Sequence, residues 1–298
     1  MWLDGTYRNN DSKQLQNDIM IQIEIISFVT ALVTLQLALI FYIWGFVSIA
    51  LGEKAVAGTA QSHSKSVTRF AFPVLIVAWI ALTVSLVTRS IVTGYVPFTD
   101  MYEFAASFSW GIIAASLLFQ WRLRAEIIGA GGAIMALALL VYAFILPSQH
   151  APLVPALRHG LLPLHVSCAI IAYGMFALGF AAAILYLIRQ KYAAFFLPAL
   201  ETLDKAGYLA VIIGFPFMTL VIILGSIWAN IAWGSYWSWD PKETASLVTW
   251  LIYAGYLLTR VWLRWRNTRS AWLLIIGFIA VLVTFFGNYF FGGLHSYV

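Results

Sequence analysis

The sequence predicts an all-α, polytopic membrane helix bundle of about eight transmembrane helices, and three observations carry that prediction. Of the 298 residues, 62% are hydrophobic and only 10% charged, where an ordinary soluble domain has about 25% charged residues. Mean hydropathy is +0.88. The apolar residues are gathered into runs of roughly 20, the length that crosses a bilayer. The lipid bilayer is therefore the first partner. No nucleic-acid partner is expected, because the net charge of +5 comes from basic residues set between apolar runs.

In chain order the spans fall near 22–51, 69–92, 103–121, 127–146, 163–188, 207–228, 243–261 and 271–290. The first run is longer than one crossing needs, which predicts tilt or an extension beyond the bilayer. Before it lies a polar segment with Asp4, Arg8, Asp11, Lys13 and Asp18. That segment lacks the apolar run and small-residue site of a cleavable leader. The chain divides into 1–92, the polar segment with two spans, and 93–298, a membrane domain of six spans.

Lys and Arg set the orientation. The loops after spans one, three, five and seven hold twelve of the seventeen basic residues, from Lys54 and Lys65 to Arg266 and Arg269. That side is cytoplasmic, so both termini are expected on the non-cytoplasmic side. Arg89 and Glu24, near span ends, read as snorkelling side chains or functional ones. Asp100 or Thr99 is expected to cap the helix that follows.

The most distinctive stretch is Trp228 to Glu243. Trp228, Trp233, Tyr236, Trp237 and Trp239 lie between two apolar runs, in what reads as an outer loop. It closes on Asp240-Pro241-Lys242-Glu243, a helix start with Asp as cap, Pro first and Glu three residues on. The rings read either as an interfacial aromatic belt or as walls for a large planar ligand. Phe285, Phe286, Tyr289, Phe290 and Phe291, near the end of span eight, read either as packing or as more wall. The carboxylates of Asp240 and Glu243 read better as capping than as acid–base chemistry.

Among the five histidines, His63 falls on the cytoplasmic side. His150 and His159 lie in the Pro-rich outer loop, His165 opens span five, and His295 follows span eight. His165 and His295 flank the tryptophan stretch in sequence and map to the same membrane face. Two neutral imidazoles beside flat aromatic rings make a plausible haem site, each imidazole supplying an axial nitrogen to iron. Taken singly, each histidine also reads as an interfacial residue bonded to backbone or water. A metal site shared by His165 and Cys168 is a weaker competitor, since a buried cysteine is commonly a small apolar residue. The single cysteine excludes an internal disulfide.

At Trp233-Gly234-Ser235-Tyr236-Trp237-Ser238-Trp239-Asp240-Pro241-Lys242-Glu243 the chain resembles the tryptophan-rich "WWD" domain of haem-handling proteins that serve cytochrome c maturation. Within that superfamily it is similar to the CcsA/ResC type of System II. Leu162-Pro163-Leu164-His165-Val166-Ser167, Gly293-Leu294-His295-Ser296-Tyr297 and Met101-Tyr102-Glu103 support this choice. The resemblance spans most of residues 95–298.

The resemblance implies haem b as the cofactor. It also implies a CcsB/ResB-type membrane partner and, as client, the Cys-x-x-Cys-His segment of apocytochrome c. The setting it implies is the bacterial cytoplasmic membrane or a thylakoid membrane, with the WWD loop facing the periplasm, outside or lumen. By position, His165 and His295 match the family's two external axial ligands. Trp233, Trp237, Trp239 and Asp240 match its haem-binding loop, and Trp228 and Tyr236 join them. Asp240 and Lys242 stand where they either fix the loop or meet a haem propionate.

One departure stands out. Relatives commonly carry a histidine in span seven, in Tyr-Leu-His-x-Arg, where this chain reads Tyr256-Leu257-Leu258-Thr259-Arg260. The implied role is subunit of a holocytochrome c synthase that presents haem, with no catalytic side chain of its own. The alternatives are a bis-histidine electron-transfer membrane cytochrome and a divergent paralogue acting on haem only at the outer face. A transporter without haem expects polar mid-membrane groups in a repeat pair, and the chain offers none.

Overall fold

The computed structural model describes residues 4–52, 60–123, 126–150, 153, 155–192 and 197–291. Among them it has no strands. It has eight α-helices: α1 (Asp4–Gly52), α2 (Ala60–Thr93), α3 (Met101–Leu123), α4 (Glu126–Ile145), α5 (Leu161–Tyr192), α6 (Leu200–Trp233), α7 (Pro241–Trp262) and α8 (Thr268–Phe291). Every predicted span lies on its own helix. Intrahelical bonding of every backbone group is what a chain needs to cross hydrocarbon.

Seven of these helices are long and apolar enough to cross a membrane, and α7 is the exception. Its first turns carry Lys242, Glu243, Thr244, Ser246 and Thr249. Helix α7 packs along α8, where Thr249 lies 3.2 Å from Thr284. Of the polar residues in its first turns, Lys242, Glu243 and Ser246 line a cleft between helices, described below.

Helix α5 sits at the centre, packed against α3, α4, α6 and α8, while α1 and α2 form a hairpin against α3 and α4. Hydrogen bonds tie neighbouring helices where dispersion alone is weakly selective. Tyr42 Oη donates to Gln120 Oε1 at 2.6 Å between α1 and α3. Trp110 Nε1 donates to Thr83 Oγ1 at 2.7 Å between α3 and α2, and Trp250 Nε1 to Thr219 Oγ1 at 2.9 Å between α7 and α6. At the far end from the cleft, Arg260 of α7 makes a two-pronged pair with Asp204 of α6.

Candidate functional site

At one end of the bundle, a cleft of about 1050 Å³, counting its open mouth, lies between α3, α5, α6, α7 and α8. His165, Trp228, Tyr236, Trp237 and Lys242 line it, with Phe104 and Phe108 of α3, Tyr173 of α5, and Thr284 and Phe285 of α8. Of the residues singled out in the sequence, His165, Trp228, Tyr236 and Trp237 thus share one cleft. The α3 wall was missed, although Phe104 and Phe108 stand four apart just after the Met101-Tyr102-Glu103 string and so share a helix face.

The imidazole of His165 is held by α6. Its Nδ1 lies 2.9 Å from the carbonyl oxygen of Val221. A carbonyl only accepts, so Nδ1 carries the proton, and in the neutral ring Nε2 keeps the lone pair. Fixing one ring nitrogen on a backbone carbonyl is how proteins orient a metal-binding histidine. The close approach needs a glycine at 225: a Cβ there lies 2.7 Å from His165 Cε1.

The tryptophan stretch divides into a helical part and a loop. Trp228 and Trp233 belong to the last turns of α6 rather than to the predicted loop, because the apolar run stays helical until Gly234. That glycine takes φ 77° and donates its N–H to the Asn230 carbonyl, a left-handed cap open to glycine. Trp228 is buried and meets Trp233 edge-on, centroids 4.8 Å apart. Trp237 lines the cleft and meets Trp239 edge-on at 5.8 Å. Trp239 itself is 70% exposed and, like Trp233, is not part of the lining.

Asp240 caps α7, accepting from the Lys242 N–H at 3.0 Å. Glu243 Oε2 reaches back to the N–H groups of Ser238 at 2.8 Å and Asp240 at 3.3 Å. This capping box agrees with the capping expectation and holds the short loop against the helix. Trp239 has φ 60°, a conformation costly for a bulky side chain, and this turn delivers Asp240 to its cap.

The remaining histidines stand elsewhere. His159 Nδ1 accepts the Leu161 N–H at 3.2 Å at the start of α5. His150 Nε2 lies 2.9 Å from Glu24 Oε2. His295 falls outside the described residues, as does the side chain of His63. Cys168 is buried, and among the described residues no cluster of His, Cys, Asp and Glu suits a metal ion. Leu258, the departure in α7, is 49% exposed, so a side chain there points away from the bundle.

Arg89 does not snorkel. It is fully buried, and its guanidinium meets Glu103 at 2.6 Å, Glu24 at 3.0 Å and Asp100 at 3.3 Å. It also donates to the carbonyls of Ser148 and Gln149 at 3.4 and 3.1 Å. Three carboxylates and two carbonyls around one fork satisfy it where water cannot. The second oxygen of Glu103 accepts from the N–H and hydroxyl of Thr99, at 2.8 and 2.7 Å, and Thr99 lines the cleft. Asp100 caps α3 by accepting the Glu103 N–H at 2.7 Å. Burial, then the neighbouring Glu103, pushes the Asp100 carboxyl up to about 6.

With this geometry in hand, the chain can be set beside known proteins. Residues 98–295 match the family model for the cytochrome C assembly protein. The chain is 36% identical to the cytochrome c biogenesis protein CcsA of Guillardia theta, over 78% of this chain and 87% of that one. It is 31% identical to CcsA of Synechococcus elongatus, over 80% and 90%. Among solved structures it is similar to the cytochrome c heme lyase CcmF, with a TM-score of 0.59 and 17% identity. That match covers 87% of this chain and 46% of the other, so it spans about half of CcmF and speaks to fold alone. On the family match and these relatives, the chain belongs to the cytochrome c assembly protein family, in its CcsA-type branch.

Proposed function

We propose that this chain, acting in cytochrome c maturation, holds haem in the cleft through His165 and presents it to apocytochrome c for covalent attachment. The observation that carries the reading is the tautomer of His165. A ring held through Nδ1–H by the Val221 carbonyl in the cleft's wall has the tautomer, lone pair on Nε2, that an axial ligand to haem iron needs. Trp228, Trp237, Phe104 and Phe108 supply flat apolar walls of the kind a porphyrin needs.

His295 is the second axial ligand in this account. It follows Phe291, the last residue of α8, by four positions, a reach of up to about 14 Å. Helix α8 itself contributes Thr284 and Phe285 to the cleft. The basic loops favour a cytoplasmic far end, which puts the cleft at the periplasmic or lumenal face. Leu258, exposed on α7, suits contact with lipid or with a CcsB/ResB-type partner.

Haem is cargo here, as haem b. Two imidazoles block open coordination positions until the histidine of the client's Cys-x-x-Cys-His segment takes the place of one. The client's thiols then add across the vinyl groups, each S–H giving its sulfur to one carbon and its proton to the other. Positioning, rather than a protein nucleophile, is this chain's contribution. The test is the visible spectrum of the detergent-purified chain, with and without a co-expressed partner. A His165→Ala/His295→Ala double variant is expected to lose the haem Soret band. Unchanged haem content in that variant overturns the reading.

A further inference from the structure

The cleft contains a cation that feels the charge of Asp240 but meets no carboxylate among the described residues at ion-pair distance. Lys242, at the second position of α7, lines the cleft and sets its ammonium 5.2 Å from the centre of the Phe104 ring. No carboxylate among the described residues forms an ion pair with it. The two nearest in sequence are committed: Glu243 Oε2 to the N–H groups of Ser238 and Asp240, and Asp240 Oδ2 to the Lys242 N–H. An ammonium withdrawn from water, with a ring face beside it and the Asp240 charge short of direct contact, is stabilised further by a ligand carboxylate that pairs with it.

We infer that Lys242 is the anchor for a carboxylate of the ligand, so that the cleft selects a flat, apolar molecule carrying an acidic edge and fixes which way that edge points. The inference rests on the haem reading for the identity of the ligand, whose acidic edge is its pair of propionates. An axial bond to His165 alone leaves a planar disc able to turn about that bond. An ion pair away from the axis removes this freedom. With the propionates drawn to the α7 side, the vinyl groups on the opposite edge take one defined position, as attachment to two cysteines in a fixed order requires. Lys242 is thus a binding and positioning residue.

The experiment titrates the full-length, detergent-purified chain with iron protoporphyrin IX and, separately, with its dimethyl ester, which keeps the ring and iron but loses the charge. The wild type is expected to bind the free acid about tenfold or more tighter than the ester, since a charge-assisted hydrogen bond forms with one only. In Lys242→Met, which keeps the length of the side chain, that preference is expected to vanish, and in Lys242→Arg to persist. A merely structural lysine affects both ligands alike. Tight but equal binding of acid and ester by the wild type overturns the inference and leaves the haem reading standing, as does a preference that survives in Lys242→Met. A wild type that takes up neither form removes both.

Discussion

Two polar clusters stand at the same end of this bundle, and they treat charge in opposite ways. Around Arg89, every prong of the guanidinium finds a carboxylate or a carbonyl, and Glu24, Glu103 and Asp100 come from α1, α3 and the loop before α3. Around the cleft, an imidazole held by the Val221 carbonyl and the ammonium of Lys242 line a space walled mostly by rings. The first arrangement is closed on itself and ties the α1–α2 hairpin to the rest. The second borders an open space large enough to admit a ligand. A buried charge that is internally answered reads as architecture, and one that faces a cavity reads as recognition.

The comparison breaks most visibly at Arg89. An Arg89→Met substitution leaves three carboxylates clustered without their cation, and breaking such a buried set costs about 3–5 kcal/mol. Thermal unfolding in detergent should show a large loss of stability, or no folded protein at all. Lys242→Met, by contrast, is expected to leave stability unchanged or slightly raised. Equal losses from the two substitutions erase the distinction.

A smaller effect is expected at Gly225. A methyl group there presses on the His165 ring, so Gly225→Ala should weaken haem binding by displacing the imidazole while costing about 1–3 kcal/mol of overpacking. Haem affinity that stays at the wild-type level argues that this ring position is immaterial. At the capping box, Glu243→Ala frees the N–H groups of Ser238 and Asp240 and is expected to cost about 1 kcal/mol. The loss should be accompanied by altered fluorescence from Trp237 and Trp239.

The smallest effect concerns Asp100. Its carboxyl titrates near 6 in the folded chain, above the 3.8 of a free aspartate. A raised acid pKa contributes stability below pH 3.8, and that contribution is lost as pH rises through 6. Asp100→Asn keeps a capping side chain and removes the titration. The variant should therefore gain stability relative to wild type at pH 8 and lose that advantage toward pH 4. A pH-independent difference between the two contradicts the assignment.

Most of the helical framework was legible in the sequence, because a run of about twenty apolar residues has few options in a bilayer. The exact helix ends were not. Nothing in hydropathy says that α6 continues through Trp228 to Trp233 and stops at a left-handed Gly234, so Trp228, which lines the cleft, and Trp233, which does not, were read as loop. The helix start at Asp240-Pro241-Lys242-Glu243 was legible because capping chemistry is local. The partners of Arg89 were not, since Glu24 lies 65 residues away and only the packing of α1 on α2 brings them together. His165 was picked out by its place at a span end, but the carbonyl that fixes its tautomer belongs to α6 and emerges only from the fold. The α3 wall was invisible for the same reason: a Phe pair on one helix face says nothing about which cavity it will line.

The central claim is that the cleft, and not the charged cluster beside it, takes haem iron, and two histidines separate them. His165 lines the cleft, and His150 bonds to Glu24. The measurement is haem content by Soret absorbance in His165→Ala and His150→Ala, each purified as a folded full-length chain. The account predicts that His165→Ala loses most of its haem and that His150→Ala keeps it. Haem retained in the first, or lost to the same extent in both, contradicts the account.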